Sequence, residues 1–329
     1  MMRKFKNETI IMITFLFTAG TAIAAIGLGS VHISIPETFQ TIFNISETDV
    51  NETIIKDIRL PRVLLAMIIG ANIAISGALL QGVMGNPLAD PGLTGVNSGA
   101  AACVLVILLV APQYSEFIPI VAFAGGIFAT IIVYSLAWKK DGISPITIIL
   151  SGVAVNALAG GVIGYLSIIY SDRLPSAVQW MNGSLAAKGY HSLYMVLPYS
   201  IVGWIASVFV IRKANVIRMG DQVAANLGEN VNRIRIILSF LAVFLAAVSV
   251  AAIGMIGFLG LVVPHMARIF VGSDYKFLLP MSMVLGALVL LAADTGGRTL
   301  FTPLEIPAGI LMAVIGGPYF LYLMRRSRL

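Results

Sequence analysis

The side chains able to do chemistry in this sequence are few and far apart. One histidine falls inside a long apolar stretch: His265, in Val263-Pro264-His265-Met266-Ala267-Arg268, with Arg268 three residues on and able to share its helix face. An ionisable group so placed serves either a pathway through a membrane or a hydrogen-bonded structural role. No second histidine, cysteine or spaced carboxylate lies beside it to complete a metal site. The single cysteine, Cys103, excludes an internal disulfide framework and a cysteine-based cluster. No lysine follows a glycine, so there is no Gly-Lys-Ser/Thr phosphate loop, and no HExxH, GxSxG or GxGxxG motif stands in a suitable setting. Nothing here points to catalysis.

Three other groups of polar residues interrupt the apolar pattern. The first is Asn86-Pro-Leu-Ala-Asp-Pro-Gly-Leu-Thr-Gly95-Val-Asn97-Ser-Gly99, which reads as a tight inter-helix turn or as a loop at the mouth of a pathway. The second is the segment Arg212–Arg235. There Asp221 is expected to cap a short helix with Val223, Ala224 and Leu227 on its apolar face, ended by Gly228, and a second short helix is expected to start near Asn230. Such a basic helix pair suits a membrane surface or the docking of a partner. The third is Arg59-Leu-Pro-Arg62 together with Arg298. These arginines suit headgroup anchoring, pairing with acids, or a positive surface for an acidic partner.

The elements that carry these residues follow from composition. Of 329 residues, 58% are hydrophobic and only 11% charged, and the mean hydropathy is +0.95. A soluble domain has roughly 45–50% apolar and about 25% charged residues, so a soluble enzyme is excluded and a multi-span membrane protein is indicated. Charge-free stretches divide into ten spans near 9–29, 63–83, 93–111, 117–138, 144–168, 191–211, 236–254, 258–272, 277–293 and 306–324, the seventh and eighth separated at Gly254-Met-Ile-Gly257-Phe-Leu-Gly260. The apolar run after Arg3-Lys4-Phe5-Lys6 is expected to be an uncleaved first helix rather than a signal peptide. With both termini cytoplasmic, fifteen of the 21 basic residues face inward and six outward (Lys56, Arg59, Arg62, Arg173, Lys188, Arg298), as the positive-inside rule requires. The net charge of +6 is therefore a topology signal, and nucleic-acid binding is not expected. No span carries the several carboxylates of an ion-coupled carrier. Without ATP-hydrolysing or ion-coupling residues, the pattern is that of a transport subunit driven from elsewhere; a secondary transporter is the alternative of a different class.

The motifs resemble one family. Arg59-Leu-Pro-Arg62 leading to Gly70-Ala-Asn-Ile-Ala-Ile-Ser-Gly77, then Gln81 and Asn86-Pro-Leu-Ala-Asp-Pro-Gly92, resemble the FecCD-type permease subunits of ATP-binding-cassette importers for iron-siderophores, haem and vitamin B12. So do Gly257-Phe-Leu-Gly-Leu-Val-Val-Pro264-His265-Met-Ala-Arg268, Pro303-Leu-Glu305-Ile-Pro307-Ala-Gly309 and Gly316-Gly-Pro318-Tyr-Phe320, over essentially the whole chain. The resemblance implies an all-α integral membrane fold of ten helices, the type II importer permease architecture, as one domain over residues 1–329. It implies a homo- or heterodimer in the cytoplasmic membrane, two cytoplasmic ATPase subunits that hold ATP and Mg, an extracytoplasmic binding protein, and no cofactor on this chain. By the same resemblance Arg218, Gly220, Asp221, Ala224, Leu227 and Gly228 couple to the ATPase. Asn86 and Leu88, and Gly142, Ile143 and Ser144, form gates, and Arg59, Arg62 and Arg298 dock the binding protein. A ferric siderophore is the expected ligand, with haem or cobalamin as alternatives.

Overall fold

Prolines and capping side chains set where the helices begin, because a proline in the first turn gives up an N–H that has no intrahelical partner. The computed structural model describes residues 2–29, 33–42, 52–140 and 142–326; Arg328, one of the basic residues expected on the inner side, lies outside them. Helix α1 is Met2–Gly27, and a short α2, Ile35–Ile42, follows. A π-helical turn, Ile54–Arg59, leads into α3, Leu60–Val83, with Pro61 in its first turn. Then come α4 (Val96–Leu105, continued by a π-helical turn to Val110), α5 (Ile118–Ala137) and α6 (Pro145–Ile169). Helices α7 (Leu174–Met181), α8 (Tyr190–Phe209), α9 (Ile211–Arg218) and α10 (Asp221–Asn226) follow. The chain closes with α11 (Val231–Ile253), α12 (Leu259–Val271), α13 (Tyr275–Thr299) and α14 (Ala308–Arg326). A two-residue hairpin, Trp138–Lys139 against Gly142–Ile143, joins α5 to α6.

Among the described residues, seven helices are long and apolar enough to cross a membrane, and three more apolar helices are shorter: Val96–Val110, Leu259–Val271 and Ala308–Tyr322. Helix α3 is the axis of the bundle. It packs against α13, α11, α12 and α8, and 83% of its most apolar window is buried, against 22% for α6. Gly70 and Gly286 let α3 and α13 cross backbone to backbone, since a Cβ on either would run into the other's carbonyl oxygen. Buried polar contacts fix the neighbours. Asn72 donates to Ser200 Oγ at 2.8 Å and accepts from the Trp204 indole at 2.8 Å, tying α3 to α8, while Ser76 donates to the Ala242 carbonyl of α11 at 2.6 Å.

The structure corrects three expectations. Helix α11 starts at Val231 rather than 236, so the helix near Asn230 is a long apolar one, capped by the Asn230 side chain on the Arg233 N–H at 3.0 Å. The short pair is α9 with α10, not α10 with a successor. Helix α13 runs past residue 293 to Thr299 and takes Asp294 and Arg298 into its last turns. In both long helices charge continues the helix instead of ending it: Arg235, Asp294 and Arg298 each find a partner inside the protein, while Arg233 is exposed.

Candidate functional site

At one end of the bundle, α10 projects from the α8–α11 connection. Its N-terminus is set by Gly220, with φ of 101°, and Asp221 makes no cap of its own. The Asp221 carboxylate instead accepts two hydrogen bonds from the Arg235 guanidinium, at 2.8 and 2.9 Å. Helix α10 ends in a Schellman turn: the Gly228 N–H donates to the Ala225 carbonyl at 2.9 Å and the Glu229 N–H to that of Ala224 at 3.1 Å. This turn needs φ of +79° at Gly228, a conformation that glycine adopts without a Cβ penalty. The expected apolar face is divided. Ala224 is buried against the bundle, whereas Met219, Val223 and Leu227 are exposed, as are Arg218 and Gly220.

Arg235, in the second turn of α11, is the connecting residue. Its side chain is 6% exposed against 53% for Asp221, so a buried cation reaches out to a solvated anion. It also donates to the Ile143 carbonyl at 2.7 Å and makes a longer contact of 3.5 Å to that of Val83, at the end of α3. Three residues earlier, Asn232 accepts the Ile143 N–H at 3.0 Å. Ser144 forms a reciprocal capping box with Thr147 at the start of α6, both backbone-to-hydroxyl distances being 3.2 Å. Gly142, Ile143 and Ser144 thus share a cleft of about 520 Å³ with Asp221, Gln222 and Arg235. The expected coupling element and the second expected gate segment meet through this one guanidinium.

Asn86 and Leu88 lie in the other segment expected to form a gate, after α3. The Leu88 N–H donates to Asn86 Oδ1 at 2.9 Å in an Asx turn, and both residues are half-buried. Further along that loop, Asp90 accepts from the Gly92 N–H at 2.8 Å, while burial pushes its carboxyl up to about 6.

Arg59, Arg62 and Arg298 cluster at the opposite end of the bundle, and all three are buried within the chain. Arg62 grips Asp294 in a fork, with Nε to Oδ2 and Nη2 to Oδ1 both at 2.9 Å, and donates to Glu305 at 2.9 Å. Arg59 donates to the carbonyls of Ile26 and Gly27 at 2.8 and 2.9 Å, and Arg298 to that of Ala25. Two arginines therefore cover the C-terminal carbonyls of α1, where a helix favours positive charge. Nε of Arg298 stands 4.0 Å from Asp294. Among the described residues Arg62 and Arg298 thus share Asp294, and Glu305, which bonds Arg62, is half-exposed.

Sequence reasoning assigned no role to Arg235, Asn232, Asp294 or Glu305. Asp294 carried a signal, an acid embedded in an apolar run; Arg235 resembled an ordinary topology charge. His265 is half-buried and lies edge-on to Tyr319, with ring centroids 6.3 Å apart. Among the described residues no group of three His, Cys, Asp or Glu side chains could hold a metal ion.

Comparisons with known proteins bear on the fold and the family. The chain is 38% identical over 325 residues to the Fe(3+)-citrate import system permease protein YfmE of Bacillus subtilis, covering 98% of this chain and 97% of that protein. It is 38% identical over 320 residues to the hemin transport system permease protein HmuU of Yersinia pestis, covering 93% and 92%. Its fold matches a metal-chelate type ABC transporter solved in an inward-facing conformation, with a TM-score of 0.85, 29% identity, and coverage of 97% of this chain and 99% of that one. The model of the FecCD transport family matches residues 14–326, so the chain belongs to that family, whose members are transport components and not enzymes.

Proposed function

We propose that this chain is the membrane permease of an ATP-driven importer and carries a ferric siderophore inward, with haem and cobalamin as the neighbouring ligand classes. The observation that carries this reading is the Asp221–Arg235–Ile143 connection, which ties an exposed helix outside the apolar spans to a segment at the mouth of α6. A rigid helix so tied can convert a partner's nucleotide-driven motion into movement of the bundle. In this reading the exposed Met219, Val223 and Leu227 sit in a groove on a cytoplasmic ATPase, which holds the ATP and Mg, and Arg218 and Gly220 flank that contact. Asn86, Leu88 and residues 142–144 close the inner mouth. The three shorter apolar helices also cross the membrane, giving ten spans with both termini cytoplasmic, and the sparsely buried α6 faces a second permease, identical or not.

The binding protein docks at the end that carries Arg59, Arg62 and Arg298. Arg62 already holds Asp294 and Glu305, so an incoming carboxylate competes with Glu305 for Arg62 rather than meeting bare charge. The similarity to ferric citrate and hemin permeases supports an iron chelate as cargo. The test is reconstitution of the chain with its ATPase and binding protein in liposomes, with uptake of ferric citrate and of a ferric hydroxamate measured. Uptake of one of them that stops when the ATPase is inactivated is expected. Uptake by this chain alone, driven by an ion gradient, would overturn the reading.

A further inference from the structure

A cavity of about 260 Å³ opens at the end of the bundle where α6 connects to α8. Ser176, Gln179 and Trp180 of α7 and Ser184 and Lys188 of the following loop supply its polar lining, the Ser176 hydroxyl already donating to the Arg173 carbonyl at 2.8 Å, with Leu108 and Ile253 as apolar walls. No carboxylate lines it. Ser184 Oγ accepts the Ala186 N–H at 3.1 Å, which leaves its own proton to donate. The Lys188 ammonium, the Gln179 amide and the Trp180 indole N–H have no partner among the described residues, yet none is a sealed-off buried atom. Ala187 holds φ of 56°, unusual for a residue with a Cβ, and so fixes the course of the chain at Lys188. Burial draws the Lys188 ammonium below the usual lysine range, with no acid nearby to offset it.

Several donors, one of them a half-desolvated cation, thus surround a space that contains no acceptor of matching charge. Its volume falls below the roughly 300–1,000 Å³ typical of a pocket for a whole ligand, so it suits one compact oxyanion. We propose that Lys188, Ser184, Gln179 and Trp180 form an anion subsite at the outer mouth of the translocation path, which takes a carboxylate arm of the arriving iron chelate. The inference rests on the reading above, in which this end of the bundle faces outward. A lipid headgroup phosphate offers similar chemistry and is the rival source.

The test uses the permease–ATPase complex in phosphatidylcholine nanodiscs, with the acylation rate of Lys188 followed by mass spectrometry. Lys188 should react readily, and millimolar ferric citrate should slow it about fivefold or more, while a neutral ferric trihydroxamate should not. Ser184→Ala and Gln179→Ala should weaken that protection, read within each variant as the ratio of the rates without and with ferric citrate. No protection, equal protection by the neutral chelate, or an unreactive Lys188 would overturn the subsite. Protection that appears only when phosphatidylglycerol replaces phosphatidylcholine would assign the cavity to lipid and overturn it as well. ATP-driven uptake in matched liposomes separates the two levels: uptake without protection removes the subsite alone, whereas absence of ATP-driven uptake removes the importer reading.

Discussion

Arg235 and Asp221, fourteen residues apart in sequence, join the base of a long buried helix to the tip of an exposed short one through two hydrogen bonds of 2.8 and 2.9 Å. In the proposed reading the pair serves coupling: Asp221 is half in solvent, and Arg235 keeps its carbonyl partner when the acid is removed. Asp221→Ala should therefore leave the complex assembled and lower uptake per ATP hydrolysed by roughly three- to tenfold, with Asp221→Glu retaining most of it. Parallel assays of ATPase rate and uptake decide the matter. An unchanged ratio in the alanine variant would show that α10 moves the gate segment by another route.

Gly228→Val should loosen the end of α10, since a β-branched side chain at φ of +79° carries a penalty of about 1–2 kcal/mol or more. Reduced co-purification of the ATPase and a lower uptake-to-hydrolysis ratio are expected. Normal values for both would remove α10 from the coupling contact.

Glu305→Gln separates two roles of Arg62. If Arg62 meets an acid of the binding protein, removing its half-exposed competitor should tighten docking about two- to fivefold at low salt, and added salt should erase the gain. Unchanged affinity, measured with the permease in nanodiscs, would confine Arg62 to an internal bond with Asp294.

Asp90 gives a pH signature. Its carboxyl titrates near 6 in the folded protein, above the ordinary 3.8, so the charged form is disfavoured by folding. That penalty is absent below the unfolded value, grows between the two, and is complete above 6. Asp90→Asn should accordingly raise the thermal midpoint at pH 8, with the difference shrinking as the pH falls from 6 towards 4. A pH-independent difference would count against a buried charge at this loop.

Much of this architecture could be read from apolar runs alone, because a chain with so few charges has little else to hide its boundaries. The Gly254–Gly260 break and the stop at Gly228 follow from glycine's local preference, whereas the short helix begins at Asp221 without the cap expected of that residue. Misjudged boundaries share a cause. Residues 231–235 and 294–299 fall outside the charge-free spans because charge ordinarily marks water, but Arg235 is held by Asp221 and backbone carbonyls, and Asp294 and Arg298 by each other, by Arg62 and by a carbonyl of α1. Such partners lie far apart in sequence: Arg62 and Asp294 are separated by 232 positions, and no local rule connects them. Helix faces were equally illegible. Lipid and protein interior are both apolar, so α6 and α3 read alike in sequence although one is sparsely and the other densely packed.

The exposed side chains of Met219, Val223 and Leu227 carry a consequence for the cell's handling of the protein. They form an oily handle on a segment outside the apolar spans, tolerable only while something covers it. A copy synthesised without its ATPase would display that handle to chaperones and proteases. Permease abundance should then follow the supply of ATPase, so that an unassembled copy is marked for removal by the same three residues that would engage its partner.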